Sequence, residues 1–216
     1  MTFIGFSKTD NIVSATCWKV KGKAPPLQFI DIFSFWRYNF HQVIFMTNEQ
    51  KQVAVQAIQG FRLPRYHEIP DVGLYLEQTS KYLASHLNVL QHDCITASMI
   101  SNYVKKGLIK NPVKKQYSRD QIAYLFFIAV AKNVLSLDAL RGFIRLQQRT
   151  YSLEKAYNYF VDEFENLLLF SFELKDSIDV VGEDTTDERR LLFSCIAAVT
   201  QIIYLEKCLS VINAEE

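Results

Sequence analysis

The stretch ITASMISNYVKKGLIKNPVKKQYSRDQIAYL, residues 95–125, determines the fold that this sequence predicts. It places six lysine or arginine residues and one acid between two helical runs. Thr96 suits the N-cap of the first helix, ASMISNYVKK, and Gly107 suits the position just beyond its end. Ser118 and Gln121 form the S-x-x-Q capping box that marks the start of the second helix. Two helices joined by a basic linker are therefore expected.

One side of the first helix has the side chains that a helix in a DNA major groove needs. Ser98, Ser101, Asn102 and Lys105 recur at i, i+3, i+4 and i+7, so they share one face. Short hydroxyl and amide groups let the backbone approach base edges, and a cation pairs with phosphate. The opposite side is expected to face the core and carries Met99, Ile100, Tyr103 and Val104.

The linker LIKNPVKKQY predicts a short β-hairpin with Asn111 and Pro112 at its turn. Lys114 and Lys115 follow on the hairpin arm, where they can reach the flanking DNA backbone. The phosphate contacts are accordingly assigned to Lys106, Lys114, Lys115 and Arg119. The alternative is a solvated loop, which is what most charge runs are. Tyr103 and Tyr117 are interpreted as core residues rather than as a stacking platform for bases.

The composition predicts a mainly α-helical protein with an uneven charge distribution. The chain has 216 residues, 49% of them apolar, with only 7 glycines and 5 prolines. The net charge is +1, but residues 153–216 contain 14 acids and 5 bases. A basic segment beside an acidic half is typical of a protein that binds nucleic acid through one part only.

Metal, cofactor and enzyme functions find no support in the sequence. The four cysteines form no C-x-x-C pair, and His67, His86, His92 and Asp93 lack metal-ligand spacing. Gly-rich phosphate loops and nucleophile motifs are missing, so no catalytic residue is assigned. The most apolar run, residues 191–205, is shorter than a membrane span. The expectation is a cytoplasmic, non-enzymatic protein with no cofactor, no metal and no membrane partner.

The chain divides into three predicted parts. Residues 1–45 show no sustained helical or strand period, which predicts a poorly structured extension. Two explanations stay open: translation starts at Met46 in the cell, or the segment is a loosely packed arm. Residues 46–150 form the helix-turn-helix unit. Residues 151–216 form a helical hairpin for dimerisation or effector binding.

The prediction of a C-terminal helical hairpin rests on two helical runs and the polar segment between them. The first run covers residues 153–174, and the second is expected to begin with a capping box of Thr185 and Glu188. An apolar stripe on the first run predicts its buried face and contains Val161, Phe164, Leu168 and Phe172. The second run is apolar almost all round, so we expect it to be covered on more than one side.

The spaced residues of the 95–125 stretch resemble the MerR-type winged helix-turn-helix. The resemblance rests on Ile95-Thr96, Ile100, Tyr103 and Gly107-Leu108, followed by Lys115, Tyr117-Ser118 and Asp120. The closer similarity is to a bacterial YkrK-like family of unknown function, and it is carried by RLPRYHEIPDVGLYLEQ, ITASMISNYVKKGLI and PVKKQYSRDQIAYL. The recognition helix of the MerR type usually carries Arg where this chain has Ser101. That departure removes one expected phosphate contact.

These observations together predict a mainly α fold: a MerR-like winged helix-turn-helix with a short β wing, followed by a C-terminal helical hairpin. The expected function is a sequence-specific transcriptional regulator that binds double-stranded DNA as a homodimer, with room for a small-molecule effector. One alternative is a protein-interaction module whose helix-turn-helix no longer binds DNA. Another is an effector-sensing helical domain without DNA contact.

Overall fold

A computed structural model describes residues 46–90, 95–179, 181 and 186–214. Within this part the chain is mainly helical, which confirms the predicted fold class at that level. The predicted N-terminal extension, residues 1–45, lies outside the described residues. The elements in chain order are α1 (Asn48–Gln56), β1 (Leu74–Tyr75), α2 (Leu76–Leu87), α3 (Ala97–Lys105), β2 (Gln116–Tyr117), α4 (Arg119–Ala131), α5 (Leu137–Thr150), α6 (Leu153–Ser171) and α7 (Asp187–Asn213), with 3₁₀ turns at Tyr66–Glu68 and Asn88–Leu90.

Serine and threonine side chains start most of these helices. Thr96 accepts a hydrogen bond from the Met99 amide at the start of α3, as predicted. Ser118 and Gln121 form the predicted capping box of α4, and Ser136 caps α5. The side-chain oxygen in each case satisfies an amide that the first helical turn leaves without a partner. Helix α7 starts one residue later than predicted, at the N-cap Thr186, and Thr185 lies outside the described residues.

Helix α4 is the centre of the core. Nine of its 13 residues are buried, because α2, α6 and α7 pack around it. The ring of Phe126 is fully buried, with its centroid 6.3 Å from that of Tyr157 on α6. The predicted stripe on α6 is confirmed, since Val161, Phe164 and Leu168 are all buried. Helix α6 therefore links the central helix α4 to the C-terminal helix.

Residues 57–73, which we call the connector, join α1 to β1 and make specific polar contacts with α6. Arg65 makes a bidentate ion pair with Glu165, with N–O distances of 3.0 and 2.9 Å. The same carboxylate accepts the Leu63 amide at 2.8 Å, and Tyr157 donates to the Pro64 carbonyl at 3.0 Å. Paired fork geometry of this kind is both stronger and more directional than a single ionic contact. The connector therefore has a fixed path toward the small sheet.

The two-stranded sheet joins the chain before α2 to the chain before α4. Leu74 pairs with Tyr117, and Tyr75 pairs with Gln116, in antiparallel register. Strand β1 directly precedes α2, which begins at Leu76. Gly73 is required beside the sheet, since an added Cβ would lie 2.7 Å from the Cβ of Gln116.

Helix α7 is the longest helix described and is incompletely covered. It has 27 residues and a mean hydropathy of 1.6 over its most apolar window, so its length and composition would allow it to cross a membrane. The buried core helix of a soluble protein meets the same criteria, and α7 packs against α1, α4 and α6. Only 39% of that window is buried, while Leu191, Leu205 and Leu209 are exposed. The described chain thus covers α7 on some sides only.

Candidate nucleic-acid interface

Helix α3 presents its polar side to solvent and its apolar side to the core. Ser98, Ser101, Asn102 and Lys105 lie on the solvent side, whereas Ile100 is fully buried. Tyr103 and Tyr117 are also buried, which agrees with their interpretation as core residues. Burial raises the pKa of both phenols. The solvent side of α3 is therefore a strip of short polar groups that ends in a cation.

Both ends of α3 are closed by local hydrogen bonds. The helix ends in a Schellman motif, in which Gly107 donates to the Val104 carbonyl and Leu108 donates to the Tyr103 carbonyl, each at 2.9 Å. Gly107 adopts a φ of +68°, which a residue with a Cβ rarely adopts. Gln121 of α4 donates to the Lys110 carbonyl at 2.7 Å. These bonds fix the direction of α3 relative to α4.

The hairpin that follows turns at Lys114 and Lys115, not at Asn111 and Pro112 as the sequence suggested. Val113 and Gln116 exchange backbone hydrogen bonds of 3.1 and 2.9 Å across the turn. Lys114 and Lys115 have φ values of 50° and 65°. Two positive φ values between a hydrogen-bonded pair are the signature of a type I′ turn, which favours Asn-Gly. Two exposed lysines therefore adopt left-handed backbone conformations, which are unfavourable for a residue with a Cβ.

The backbone of Lys114 and Lys115 stores conformational strain. A left-handed residue with a Cβ costs roughly 1–2 kcal/mol, and residues held in such regions cluster at functional sites. The turn places both lysines, which are exposed, at the tip of the hairpin. Among the described residues, neither lysine side chain makes a hydrogen bond or an ion pair that would explain why lysine rather than glycine occupies the turn.

Arg119 has a different environment from the other predicted phosphate ligands. Its Nε donates to the Ile69 carbonyl at 2.9 Å, and its guanidinium lies 3.7 Å from the Asp71 carboxylate. The guanidinium also covers the Tyr66 ring, 5.6 Å from the centroid. Burial and a hydrogen bond to Asp120 raise the pKa of Tyr66 to about 12. Arg119 is thus engaged with the connector, and the structure does not group it with the hairpin lysines.

Two arginines outside the predicted set lie beside the end of α3. Arg141 on α5 donates to the Lys106 carbonyl at 3.1 Å and pairs with Asp138. Arg141 and Arg145 line an open groove of about 730 Å³ between α5 and the chain that follows α3. We call it the basic groove; its other polar lining residues are Lys106, Lys110, Asn111 and Gln148. The groove brings four cations together, which makes it a suitable site for phosphate groups.

The solvent-side strip of α3, the hairpin tip and the basic groove are together called the basic face. Residues 95–119 contain no acid, and Asp138, three residues before Arg141 on α5, is paired with that arginine. The side chain of Lys106 belongs to both the predicted set and the groove. A sequence signal for the missed arginines did exist, because Arg141 and Arg145 are spaced i, i+4 on one helix face.

The histidines and acids of the described residues form no metal centre. These residues contain no group of three His, Cys, Asp or Glu side chains that could hold a metal ion. His86 instead packs on Tyr82 and Phe126, with ring centroids 4.7 and 5.7 Å away. His92 and Asp93 lie outside the described residues.

Comparison with known proteins gives a match to a family model over part of the chain. Residues 64–160 match the model of DUF1836, a domain of unknown function. This segment is less than half of the chain, but it contains the whole basic face. No MerR or helix-turn-helix family model matches, so the resemblances to the MerR type and to the YkrK-like family are wrong, apart from the expectation of a domain of unknown function. No curated protein matches. Solved structures give no match either.

Proposed function

We propose that the protein is a non-enzymatic, sequence-specific DNA-binding regulator of transcription. The observation that carries the proposal is the solvent-side strip of α3, in which Ser98, Ser101 and Asn102 precede Lys105 on a helix closed at both ends. In a major groove, the amide of Asn102 can pair with the N6 and N7 atoms of adenine. The two serines let the helix backbone approach the bases. The arrangement supported is a helix-turn-helix of α2 and α3, with the hairpin as its wing.

The remaining cations of the basic face would bind the DNA backbone. Lys114 and Lys115 occupy the hairpin turn, while Arg141 and Arg145 line the groove beside the end of α3. Phosphate contacts from these cations would fix the register of α3 on the duplex. Arg119 would contribute through its hold on the connector rather than as a direct phosphate ligand.

A homodimer completes the proposal. Two copies would insert two α3 helices into successive major grooves, with half-sites one helical turn or a multiple apart. Exposed Leu191, Leu205 and Leu209 give α7 an uncovered apolar surface that a second copy can bury. The proposal includes a cytoplasmic location and a small-molecule effector, and requires no cofactor.

The experiment that tests DNA binding is fluorescence anisotropy with the full-length protein. Genomic promoter fragments and scrambled duplexes are titrated across a salt series. The expected result is tighter binding to some fragments, with a steep loss of affinity as salt rises. Replacing Lys105, Lys114 and Lys115 by Gln should abolish binding. A matched triple replacement at Lys51, Lys132 and Lys175, which lie outside the basic face, should leave binding unchanged. Equal weak binding by both variants to every duplex would reject the proposal.

A second candidate function is a protein-interaction module. The exposed leucines of α7 favour it, because an apolar surface of this kind also suits a heterologous helix. Under this alternative the triple lysine variant keeps its cellular function, whereas replacing Leu205 and Leu209 by Ser removes it. If the protein acts by binding DNA, the triple lysine variant should instead lose its cellular function.

A further inference from the structure

An aromatic pocket of about 170 Å³ lies where α4, α5, α6 and α7 meet. Phe127, Phe143 and Phe160 contribute rings to its wall. The centroid of Phe127 lies 6.0 Å from that of Phe143 and 5.5 Å from that of Phe160. The rings pack against one another but do not fill the space between the helices. The pocket is partly open to solvent, so the apolar surface of its wall stays in contact with water until a ligand covers it.

The polar groups around the pocket are largely engaged with each other. The Tyr124 hydroxyl donates to Gln147 at 2.8 Å and accepts from Gln148 at 3.3 Å. Gln147 in turn donates to the Tyr151 carbonyl at 2.8 Å, and Arg189 donates to the Tyr159 hydroxyl at 2.6 Å. The charged residues Lys155, Glu188 and Arg189 also line the pocket, but nearly all of the surface that its wall exposes is apolar. The pocket chemistry selects a neutral, apolar occupant.

The volume of the pocket and the aromatic rings in its wall narrow the class of ligand further. An enclosed apolar cavity of roughly 150 Å³ is large enough to bind benzene, so the volume of this partly open pocket matches one aromatic ring. Ring edges and faces in the wall favour an aromatic guest, because aromatic pairs prefer edge-to-face or offset contacts at about 4.5–7 Å. One six-membered ring with a small substituent fits the space.

The pocket and the basic groove share helix α5. Ile144 lines both cavities, and Arg141 and Arg145 lie on the same helix as the pocket residue Phe143. Gln148 lines the groove and also donates to Tyr124 of the pocket wall. A guest that shifts α5 must therefore move the arginines beside the end of α3.

We propose that the aromatic pocket binds a neutral molecule with a single aromatic ring, and that its binding changes the affinity of the basic face for DNA through α5. The proposal that the pocket binds this ligand depends on the pocket alone. The proposal that ligand binding changes DNA affinity rests on the proposed function. Experiments can therefore reject ligand binding and its effect on DNA affinity independently.

The test of binding uses fluorobenzene and the full-length protein. Fluorine NMR should show saturable broadening of the fluorobenzene signal that toluene reverses and benzoate does not. Ala156 on α6 and Ala123 on α4 line the pocket, so Ala156→Leu or Ala123→Val should fill it and remove at least nine-tenths of the binding. Ala139→Leu, on α5 but outside the pocket, should leave binding unchanged. A folded filled variant that binds like the wild type, or a wild type without saturable binding, overturns the proposal.

The test of coupling measures the Kd for a bound promoter fragment with and without saturating fluorobenzene. A change of threefold or more, absent in Ala156→Leu, is expected, and an unchanged Kd overturns the coupling. If fluorobenzene binds but no duplex does, the proposed function fails and the pocket stands. If DNA binds but fluorobenzene does not, the pocket proposal fails and the DNA-binding function stands.

Discussion

Arg141 of α5 donates a hydrogen bond of 3.1 Å to the backbone carbonyl of Lys106, the C-cap residue of α3. This bond joins two elements 35 residues apart in the chain. It also satisfies a carbonyl at a helix end, where intrahelical partners are lacking. The same guanidinium lines the basic groove, so one side chain both orients α3 and adds positive charge beside it.

Arg141→Ala and Arg145→Ala form a matched pair that separates these two roles. Arg141→Ala should lower the free energy of unfolding by about 1 kcal/mol, because the Lys106 carbonyl loses its donor. Arg145 is exposed, so its replacement should change stability by less than about 0.5 kcal/mol. Urea unfolding measures both values. DNA affinity should fall for both variants, and a wild-type affinity in both would remove the groove from the interface.

Salt dependence can count the phosphate ligands one lysine at a time. Removing one lysine–phosphate ion pair should reduce the slope of log K against log salt by about 0.9. Lys105→Gln should show this reduction while keeping the preference for the same fragment, because phosphate binding carries little sequence information. Asn102→Ala should show the opposite pattern: an unchanged slope with a relaxed preference. A changed slope in Asn102→Ala, or an unchanged one in Lys105→Gln, would contradict the assigned roles.

The sequence predicted the helix that carries the site because the relevant signals are local. Thr96 and Gly107 mark the ends of α3, and the 3.6-residue period separates Ile100 from Ser101 and Asn102. Nothing beyond the helix itself is needed to assign its two faces. The same holds for the start of α4, where both members of the capping box lie within one turn.

The features that were missed depend on distant parts of the chain. The hairpin turn was assigned to Asn111 and Pro112 from their turn propensity, but pairing of β2 with β1 fixes the reversal at Lys114 and Lys115. Arg141 reaches α3 only because α5 packs beside it. Similarly, the aromatic pocket is defined by the space that side chains of four helices leave unfilled, which no local pattern encodes.

Glu163 should make stability depend on pH in a defined direction. Its side chain is buried on α6, and one carboxylate oxygen, Oε2, has no hydrogen-bond partner among the described residues. Burial raises the pKa of Glu163 above its usual 4.5, against the opposing effects of Tyr159 and Arg189. The folded state therefore holds the proton more tightly than the unfolded state. The stability that this group contributes is present below the unfolded pKa and is lost as pH rises through the raised folded pKa.

Glu163→Gln isolates that contribution, because the amide stays neutral at every pH and still accepts from Tyr159. The variant should match the wild type near pH 4 and become more stable than it as pH rises to about 7. Urea unfolding at successive pH values measures the difference, in which other titrating groups cancel. If the difference in the free energy of unfolding does not change with pH, burial does not destabilise the charged form of Glu163.

The hairpin tip allows the most direct test of the interface, because stability and DNA binding should respond in opposite directions. Replacing Lys114 by Asn and Lys115 by Gly gives the turn the residues that a type I′ geometry favours. The free energy of unfolding should rise by about 1–2 kcal/mol, since the left-handed strain is relieved. The slope of log K against log salt should fall by about 1.8 because two phosphate ligands are removed.

The double replacement Lys114→Gln and Lys115→Gln is the control for this experiment. It removes the same two charges but keeps side chains with a Cβ in the left-handed turn, so DNA affinity should fall without any gain in stability. Thermal unfolding and anisotropy of the two variants, side by side, separate charge from strain. If the Asn-Gly variant is more stable and binds DNA like the wild type, the lysines are not phosphate ligands. If neither variant gains stability, the strain at φ values of 50° and 65° is compensated within the hairpin.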